Sequence, residues 1–315
     1  MTLTSDFWAP GSTAASSTAD TRRFGAGGGV CAIHQPNLFP RLSTLAKLFA
    51  ADRWIVLDDV QFARRDYQHR TRLAALDDPS RQQWLTLPTH LPNGRPTVIN
   101  QALLVEPRRS RRTVSLLVRQ YYGRSRYWPV VREVSDAVLD RFENTDRVAD
   151  LARTSTLALL TALGWSGEVL ESSAITTRQG RSERLADLAV AVGSTHYLCG
   201  TGGLRYLDHQ PFAAHGVTVA PFHTPVDTGD RLWQWARRVS SLWALSEIGP
   251  SELATKLAVE RPARTAPARR SSTYSRPLQG HEKGEARRPR PSPTNPQLTA
   301  TPSSTADAPP HATDG

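Results

Sequence analysis

Four residues that could take part in chemistry stand together where the hydrophobic framework begins: His34, Gln35, Pro36 and Asn37. They follow an apolar run typical of a buried strand and precede a run typical of a helix. Because Pro36 cannot extend a ladder and disfavours helical geometry at Gln35, it makes this loop rigid. His34 could bind a phosphate as a cation, act as an acid or base, or simply cap the helix. We predict a functional site here, with a structural hydrogen bond as the alternative.

A second polar cluster, Asp58, Asp59 and Gln61, ends the next apolar run. Paired acids at a strand end suit a metal ion or a ribose hydroxyl, and one of them could be a general base. Capping a turn or pairing with nearby arginines is the alternative. Because successive side chains of a strand face opposite ways, we expect only one of the two aspartates to point into any cleft.

Arginines dominate the segment that follows, where residues 64–72 read RRDYQHRTR. Guanidinium groups donate paired hydrogen bonds to phosphates and carboxylates. We therefore predict that Arg70 and Arg72 bind an anion. The alternative is a solvated charged face whose arginines pair with Asp58, Asp59 and Asp66.

A glycine-rich turn, CGTGG at residues 199–203, follows a later apolar run. Gly200, Gly202 and Gly203 would let backbone amides approach a phosphate or carboxylate, and a helix beginning beyond them would add its dipole. The spacing fits neither the dinucleotide fingerprint nor the Walker pattern. No His or Cys spacing matches zinc and no G-x-S-x-G elbow is present, so we predict no metal site and leave the cofactor open.

The elements that must position these clusters alternate between strand and helix. Residues 29–35, 41–51 and 53–59 read as strand, helix and strand, which predicts a parallel βαβ unit. Further strands are predicted at 82–90, 97–105, 168–172, 195–200 and 217–222. Further helices are predicted around 114–121, 128–142, 145–163 and 182–193, with a helical or irregular crossover at 204–216. We therefore predict an α/β fold: a mostly parallel sheet with helices on both faces and a helical insertion.

The composition predicts one folded domain, residues 29–256, between two disordered segments. Residues 1–28 form a leader rich in Ser, Thr, Ala and Gly. Residues 257–315 form a basic tail, in which residues 261–315 hold ten of the 23 prolines and few large apolar residues. Such segments cannot bury enough apolar surface to offset the entropy of ordering them.

The net charge of +10 favours phosphate-bearing partners, whether nucleic acid, nucleotide or anionic lipid. Residues 261–315 carry nine Lys or Arg against four Asp or Glu, so about half of the excess lies in the tail. Nucleic-acid binding therefore rests on the isoelectric point of about 10.3 alone. For the tail itself, the charge predicts an acidic protein partner or an anionic membrane surface.

Three features predict a cytoplasmic protein. Cys31 and Cys199 lie in apolar runs and are too few for a disulfide framework, which is typical of buried free thiols in a reducing compartment. The N-terminal residues lack the basic and apolar regions of a secretory signal. No apolar run approaches the roughly 18 residues needed to span a bilayer.

Three segments together resemble the WbqC-like protein family: AIHQPNLFPRLSTLAKLFAADRWIVLDDVQFARRDYQHRTRL, WLTLP and SERLADLAVAVGSTHYLCGTGGLRYLDHQPFAAHGVTV. The family is similarly marked by an I-H-Q-P-N-x-x-P opening, an L-D-D-V-Q-F strand end, an arginine-containing segment and a late S-G-x-G-G-x-x-Y-L stretch. The resemblance covers nearly all of residues 30–250. It implies importance for His34, Gln35, Pro36, Asn37, Asp58, Asp59, Gln61, Arg70, Arg72, Gly200, Gly202, Gly203, Tyr206 and Leu207.

The resemblance also implies a biosynthetic role, because members of the family occur among genes for O-antigen and other surface polysaccharides and in natural-product gene sets. It does not define the reaction. The chain departs from the family pattern at Arg41-Leu42-Ser43, where the family has an aromatic or glycine-rich continuation. It departs again in VSSLWALSEIG, which lacks the aspartate of an L-S-x-x-D-like helix and puts an acidic role for that helix in doubt.

Three functions follow as hypotheses. The first is a transferase for a nucleotide-activated substrate, with His34, Asp58 and Asp59 as catalytic residues. Its substrate or phosphate would be bound by Gln35, Asn37, Gln61, Arg70, Arg72, Gly200, Gly202, Gly203 and Tyr206. The second is a non-catalytic binding or scaffold protein of a biosynthetic assembly, recruited through the basic tail. The third is nucleic-acid binding.

Overall fold

Strands and helices alternate along the described part of the computed structural model, residues 28–225 and 229–258. The strands are Gly29–His34 (β1), Arg53–Val56 (β2), Arg70–Ala74 (β3), Gln82–Thr86 (β4), Thr89–His90 (β5), Leu103–Leu104 (β6), Glu168–Glu171 (β7), Ser194–Gly200 (β8) and Thr218–Phe222 (β9). The helices are Leu42–Phe49 (α1), Pro107–Tyr122 (α2), Trp128–Arg141 (α3), Val148–Ala162 (α4), Arg181–Ala191 (α5), Thr201–Leu204 (α6), Gln210–Ala213 (α7), Arg231–Gln234 (α8) and Ser241–Ala258 (α9). Short 3-10 turns lie at Ile99–Gln101 and Ser172–Ala174.

Five parallel strands form the central sheet in the order β7-β2-β1-β8-β9. The predicted α/β fold and the predicted parallel pairing of β1 with β2 are confirmed. From β1 the chain builds outward to β2 and β7, then returns to the other side of β1 for β8 and β9. The strand order therefore reverses between β1 and β8, and ligands of open α/β sheets bind at the carboxyl ends of the strands beside such a switch point.

Alternate side chains of the central strands enter two separate hydrophobic clusters. Val30, Ala32 and Trp54 belong to the larger cluster, which is shared with α1, α2, α3, α4 and α9. Cys31 and Ile33 belong to a smaller cluster on the opposite face, shared with α5 and α7. This alternation is the period of two expected of a strand, and it confirms helices on both faces.

The predicted helical insertion is confirmed as α2, α3 and α4, which lie between β6 and β7. Pro107 stands in the first turn of α2, where a missing N–H costs nothing, and Gly123 ends the helix. Val114, Val118 and Tyr122 recur every four residues and are fully buried in the larger cluster. The insertion therefore builds one face of the core.

Three segments differ from the prediction. Residues 82–90 form two strands, β4 and β5, which lie in different sheets. Residues 97–105 are not one strand but a 3-10 turn followed by the two-residue β6, because the backbone N–H groups of Ile99 and Asn100 donate to Val60 and Asp58 after β2. The arginine-rich residues 70–74 form β3, which pairs antiparallel with β4 outside the central sheet. Thr71 and Leu73 are buried there and Arg70 and Arg72 are only half-buried, so this alternation was present in the sequence.

The loop between β1 and α1 is fixed by contacts with distant parts of the chain. Phe39 has a positive φ of 41° and is fully buried. Its N–H donates to Ser155 Oγ at 2.8 Å, and its carbonyl accepts from Thr71 Oγ1 at 2.9 Å and Ser240 Oγ at 3.0 Å. These contacts hold a backbone conformation that few non-glycine residues adopt.

No helix among the described residues is long and apolar enough to cross a membrane. Of the predicted leader, only residue 28 is described, and of the predicted tail, only residues 257 and 258. The last two belong to α9, so the folded domain extends slightly beyond residue 256. The rest of the leader and tail lies outside the described residues.

Candidate functional site

Successive residues at the ends of β1 and β2 contact opposite sides of the sheet. Gln35 and Asp59 line a cleft on the side of α5. His34 contacts Lys47 of α1, and Asp58 contacts Asn100 on the same side as α1. The expectation that only one of the paired aspartates points into a cleft is therefore met, and the histidine and glutamine divide in the same way.

The cleft has a volume of about 660 Å³ and lies at the carboxyl ends of β1, β2 and β8. This volume is within the range of small-molecule sites, roughly 300–1,000 Å³. Its lining combines apolar side chains with three arginines: Ile33, Gln35, Leu57, Asp59, Val60, Thr177, Arg178, Gln179, Gly180, Arg181, Arg184, Leu185, Tyr197, Cys199, Gly203 and Leu207. We call this the arginine cleft.

The three arginines have different partners. Arg178 forms a bidentate ion pair with Asp187, with its shortest contact at 2.6 Å. Arg181 lies over the ring of Tyr206 at 5.6 Å and makes no ion pair with a described residue. Arg184 pairs with Asp59, while its Nε is buried without a partner in residues 28–225 and 229–258. Arg181 and Arg184 therefore retain donors that an anionic ligand could use.

Asp59 supports Arg184 through one oxygen. Its Oδ1 accepts from Ser172 Oγ and pairs with Arg184, while its Oδ2 has no partner in the part of the chain that the structure describes. Gln35 accepts from Gln68 Nε2 at 2.7 Å, so its position is also fixed. The cleft thus offers a carboxylate oxygen and an amide beside its guanidinium groups.

The first residues of α5 form one wall of the cleft. Gly180 precedes the helix with a φ of 115°, a conformation that L side chains rarely adopt. The backbone N–H groups of the first turn and the helix dipole both favour negative charge at this end. The cleft therefore favours an anionic ligand.

The floor of the cleft is neutral. Tyr197 stacks on Phe212 with ring centroids 5.4 Å apart. Burial raises the pKa of the Tyr197 hydroxyl well above its ordinary value and also raises the pKa of the Cys199 thiol. Both groups are therefore uncharged near neutral pH and provide an apolar surface against which a ligand could pack.

Asp58 lies on the opposite side of the sheet with its hydrogen bonds satisfied. It is 5% exposed and accepts from Ser173 N at 3.1 Å, Ser173 Oγ at 2.8 Å and Asn100 Nδ2 at 3.2 Å. Ser172 Oγ lies 3.1 Å from its Oδ1. This carboxylate joins the ends of β2 and β7 and borders a polar niche of about 110 Å³.

His34 is partly exposed and is bordered by donors. Its Nδ1 lies 3.2 Å from Lys47 Nζ and its Nε2 lies 3.4 Å from Asn37 Nδ2. Burial lowers the pKa of His34 well below its ordinary value, and the positive charges of Lys47 and Arg41 lower it further. His34 is therefore neutral at physiological pH and does not serve as a cation.

The other predicted residues of the early segment lie away from the cleft. Asn37 is 4% exposed, and its backbone carbonyl accepts from Thr156 Oγ1 at 2.9 Å. Gln61 is exposed and donates to the carbonyl of Arg95 at 2.7 Å. Arg70 and Arg72 lie over the ring of Trp84, at 4.5 and 4.6 Å. The two arginines form an outer surface of the β3–β4 hairpin and not a wall of the cleft.

Of the three glycines predicted in the glycine-rich turn, one lines the arginine cleft. Gly203 lines the cleft, and a Cβ atom there would lie 2.9 Å from Cys199 Sγ. Gly200 and Gly202 have open space where a Cβ would stand, and none of the three has a positive φ. Tyr206 is 68% exposed beneath Arg181.

The sequence analysis did not identify Arg178, Arg181, Arg184 or Lys47. The three arginines are spaced by three residues in TRQGRSER, directly before and within a predicted helix, and this spacing was a usable signal. Lys47 interrupts the apolar helix LSTLAKLF, where a lysine is unusual. Among the described residues, no group of three or more His, Cys, Asp or Glu is arranged to hold a metal ion.

Comparison with known proteins supports the motif resemblance. The WbqC-like protein family matches residues 35–238. The uncharacterized protein Rv1507c of Mycobacterium tuberculosis (strain ATCC 25618 / H37Rv) is 24% identical over 191 residues, which cover 61% of this chain and 80% of that protein. No solved structure matches the chain.

Proposed function

Because the chain belongs to the WbqC-like protein family, we propose that it is a cytoplasmic transferase that binds a nucleotide-activated substrate in the arginine cleft. The activated group would be a sugar, an acyl group or an aminoacyl group. The reaction would serve the biosynthesis of a bacterial surface polysaccharide or of a natural product, in line with the genes among which the family occurs.

The observation that carries this proposal is the set of unsatisfied guanidinium donors at the switch point of the sheet. Arg184 lines the cleft with Asp59 as its one ion-pair partner among the described residues, and Arg181 makes no ion pair there. A phosphate group could accept from both, and the first turn of α5 would add its own N–H groups. Pyrophosphates of nucleotides commonly bind at this position of open α/β sheets.

The remaining groups of the cleft fit the other parts of such a substrate. Asp59 Oδ2 could accept a hydrogen bond from a ribose hydroxyl, and Gln35 could bind the base or the sugar. Leu185, Leu207 and Tyr197 provide apolar surface for a ring. We propose Asp59 as the residue nearest the chemistry and assign Asp58 to holding the strand ends. His34 lies with Lys47 on the α1 side of the sheet and does not line this cleft.

The proposal is tested by measuring ligand binding to the full chain. Nucleoside monophosphates, nucleoside diphosphates and nucleotide sugars are screened by thermal shift, and the affinities of those that stabilise the protein are measured by calorimetry. The same measurement on Arg181→Gln should show at least about a tenfold loss of affinity, since a charged hydrogen bond contributes roughly 1.5–3 kcal/mol.

Arg132→Gln is the matched control, because Arg132 carries the same charge in an exposed i,i+4 pair with Asp136 remote from the cleft. It should bind like the wild type. If no nucleotide stabilises the protein, or if both variants bind equally well, the proposal is wrong. Binding without transfer to any added acceptor would favour the non-catalytic binding protein instead.

A further inference from the structure

Lys47 is a buried lysine that reaches the end of β1 from α1. It is 6% exposed, and its Nζ lies 3.2 Å from the carbonyl oxygen of Ile33 and 3.2 Å from Nδ1 of His34. It forms no ion pair with any described carboxylate. A buried ammonium without a carboxylate is costly, so its two hydrogen-bond acceptors require an explanation.

The Ile33 carbonyl is free to accept a hydrogen bond from Lys47 because the pairing of β1 with β8 ends one residue earlier. The last paired residues of these strands are Ala32 and Leu198. The His34 carbonyl accepts from Leu57 N on the β2 side, so the Ile33 carbonyl, one residue earlier, faces the β8 side. The Lys47 ammonium thus occupies the switch point itself, where a backbone N–H of β8 would otherwise donate.

The groups that face Lys47 and His34 are either cationic or neutral. Arg41, in the loop after β1, adds positive charge near His34. Cys31 of β1 and Cys199 of β8 belong to the cluster on the opposite face and interact with Lys47 only electrostatically; burial raises the pKa of both thiols, that of Cys31 to about 12. Neither thiol supplies a negative charge at neutral pH, so nothing among these groups favours a protonated His34.

We propose that Lys47 is a positioning residue that holds His34 as a neutral imidazole with its hydrogen on Nε2. A charged ammonium has hydrogens and no lone pair, so Nδ1 of His34 must accept from it. The single imidazole hydrogen then lies on Nε2. His34 therefore acts as a neutral hydrogen-bond donor toward solvent, and neither as a cation nor as a base through Nε2.

A consequence concerns the ligand. Asn37 Nδ2 lies 3.4 Å from His34 Nε2, and in this orientation of the amide both atoms are donors. One oxygen placed between them, from a phosphoryl, carboxylate or carbonyl group, would accept from both. This oxygen site is on the α1 side of the edge, apart from the arginine cleft, so the two proposals can fail separately.

The tautomer of His34 is measured by long-range ¹H–¹⁵N correlation spectra of the full-length protein, with His34→Gln used to assign the signal. At pH 7 the wild type should show the Nε2–H tautomer. Burial lowers the pKa of Lys47 to about 8, so its ammonium loses a proton as the pH rises through this value. The neutral amine can accept a hydrogen bond, and the Nδ1–H tautomer should then appear. A mixed or Nδ1–H tautomer in the wild type at pH 7 would overturn the proposal.

Lys47→Met tests the cause. It removes the donor to Nδ1, so the two tautomers should become mixed at pH 7 and the change near pH 8 should disappear. Lys256→Met is the control, because Lys256 pairs with Asp230 at 2.7 Å on α9, and it should leave the His34 signal unchanged. A Lys47→Met spectrum identical to that of the wild type would also overturn the proposal, and the wild-type titration decides the matter should this variant fold poorly.

Inorganic phosphate and acetate serve as probes of the oxygen site. Either anion should shift the His34 Nε2 resonance of the wild type and of Arg181→Gln. It should not shift that of Asn37→Asp, because this variant replaces the Nδ2 donor with a negatively charged carboxylate that repels the anion. An equal shift in Asn37→Asp, or no shift with either anion in the wild type, would contradict the oxygen site. Loss of the shift in Arg181→Gln would instead assign the effect to the arginine cleft.

Discussion

The two sides of the sheet edge differ although the same strand ends supply them. On the α1 side, Asp58 and Lys47 are buried and hydrogen-bonded to neighbouring protein groups. On the α5 side, Asp59, Arg181 and Arg184 border an open cleft and retain oxygens and N–H groups without partners among the described residues. Adjacent residues of one motif, such as Asp58 and Asp59, therefore have different roles.

The difference shows that a dense polar motif at a strand end need not form a single site. The Asp58 carboxylate, whose hydrogen bonds are all made within the protein, stabilises the junction of β2 and β7. The Asp59 carboxylate keeps an oxygen that can accept a hydrogen bond from a ligand. The stability of the protein should depend on Asp58 and its partners on the α1 side, and the binding of the proposed nucleotide-activated substrate on the α5 side.

The largest expected effect separates the two aspartates. Asp58→Ala removes a buried acceptor from Ser173 and Asn100 and leaves their donors unsatisfied, so the free energy of unfolding should fall by roughly 3–5 kcal/mol. Asp59→Ala breaks a partly exposed pair and should cost about 1 kcal/mol or less. Urea unfolding of both variants measures the difference, and equal losses would remove the distinction between the two sides.

A somewhat smaller effect concerns the pH dependence that Lys47 imposes. Its pKa is about 8 when folded against an ordinary 10.5, so the unfolded chain binds this proton more tightly. The destabilisation is full below pH 8 and is lost as the pH rises toward 10.5. The free energy of unfolding of the wild type, relative to Lys47→Met, should therefore rise by about 3 kcal/mol between pH 7 and 10.5.

Lys256→Met is the contrasting control for this titration. The hydrogen bond to Asp230 raises the pKa of Lys256, so its stabilisation is present below its unfolded pKa and is lost at higher pH. Relative to Lys256→Met, the wild type should lose stability as the pH rises. The same direction of change for both lysines would show that Lys47 is not an uncompensated buried charge.

The smallest effect tests the wall of the arginine cleft. Gly180→Ala places a side chain at a φ of 115° and brings its Cβ within 2.4 Å of Glu183 Oε2, so the free energy of unfolding should fall by about 1–2 kcal/mol. The affinity for the cleft ligand should fall with it, because Arg181 and Arg184 follow this turn. Gly202→Ala, with open space at its Cβ, should be neutral in both measurements, and identical behaviour of the two variants would contradict this role of Gly180.

Much of the fold was predictable because it rests on local patterns. The period-two runs of β1 and β2, the helical spacing of α2 and the glycine-ended helices follow from side-chain burial within one element. Residues 97–105 were predicted incorrectly because their backbone donors are satisfied by Asp58 and Val60, nearly forty residues earlier. No local pattern carries that information.

The candidate site was predictable in its location and less so in its membership. Gln35, Asp59, Gly203 and Leu207 were identified and line the cleft, whereas Arg70 and Arg72 lie over Trp84 on a separate hairpin. The cleft arginines come from the segment before α5, which only the strand order brings beside β1 and β2. Residues 59 and 184 are far apart in the chain, so their ion pair could not be predicted from local sequence patterns.

The sequence by itself determined the alternation of strands and helices, the family resemblance and the clustering of polar residues at strand ends, because each depends on residues near one another in the chain. Only the tertiary structure decided which polar groups are satisfied and which are open. That outcome depends on partners such as Ser172, Arg184 and Lys47, which different elements bring to one edge of the sheet. Hydrogen-bond satisfaction is a property of the assembled core, and this separates a structural aspartate from one that can bind a ligand.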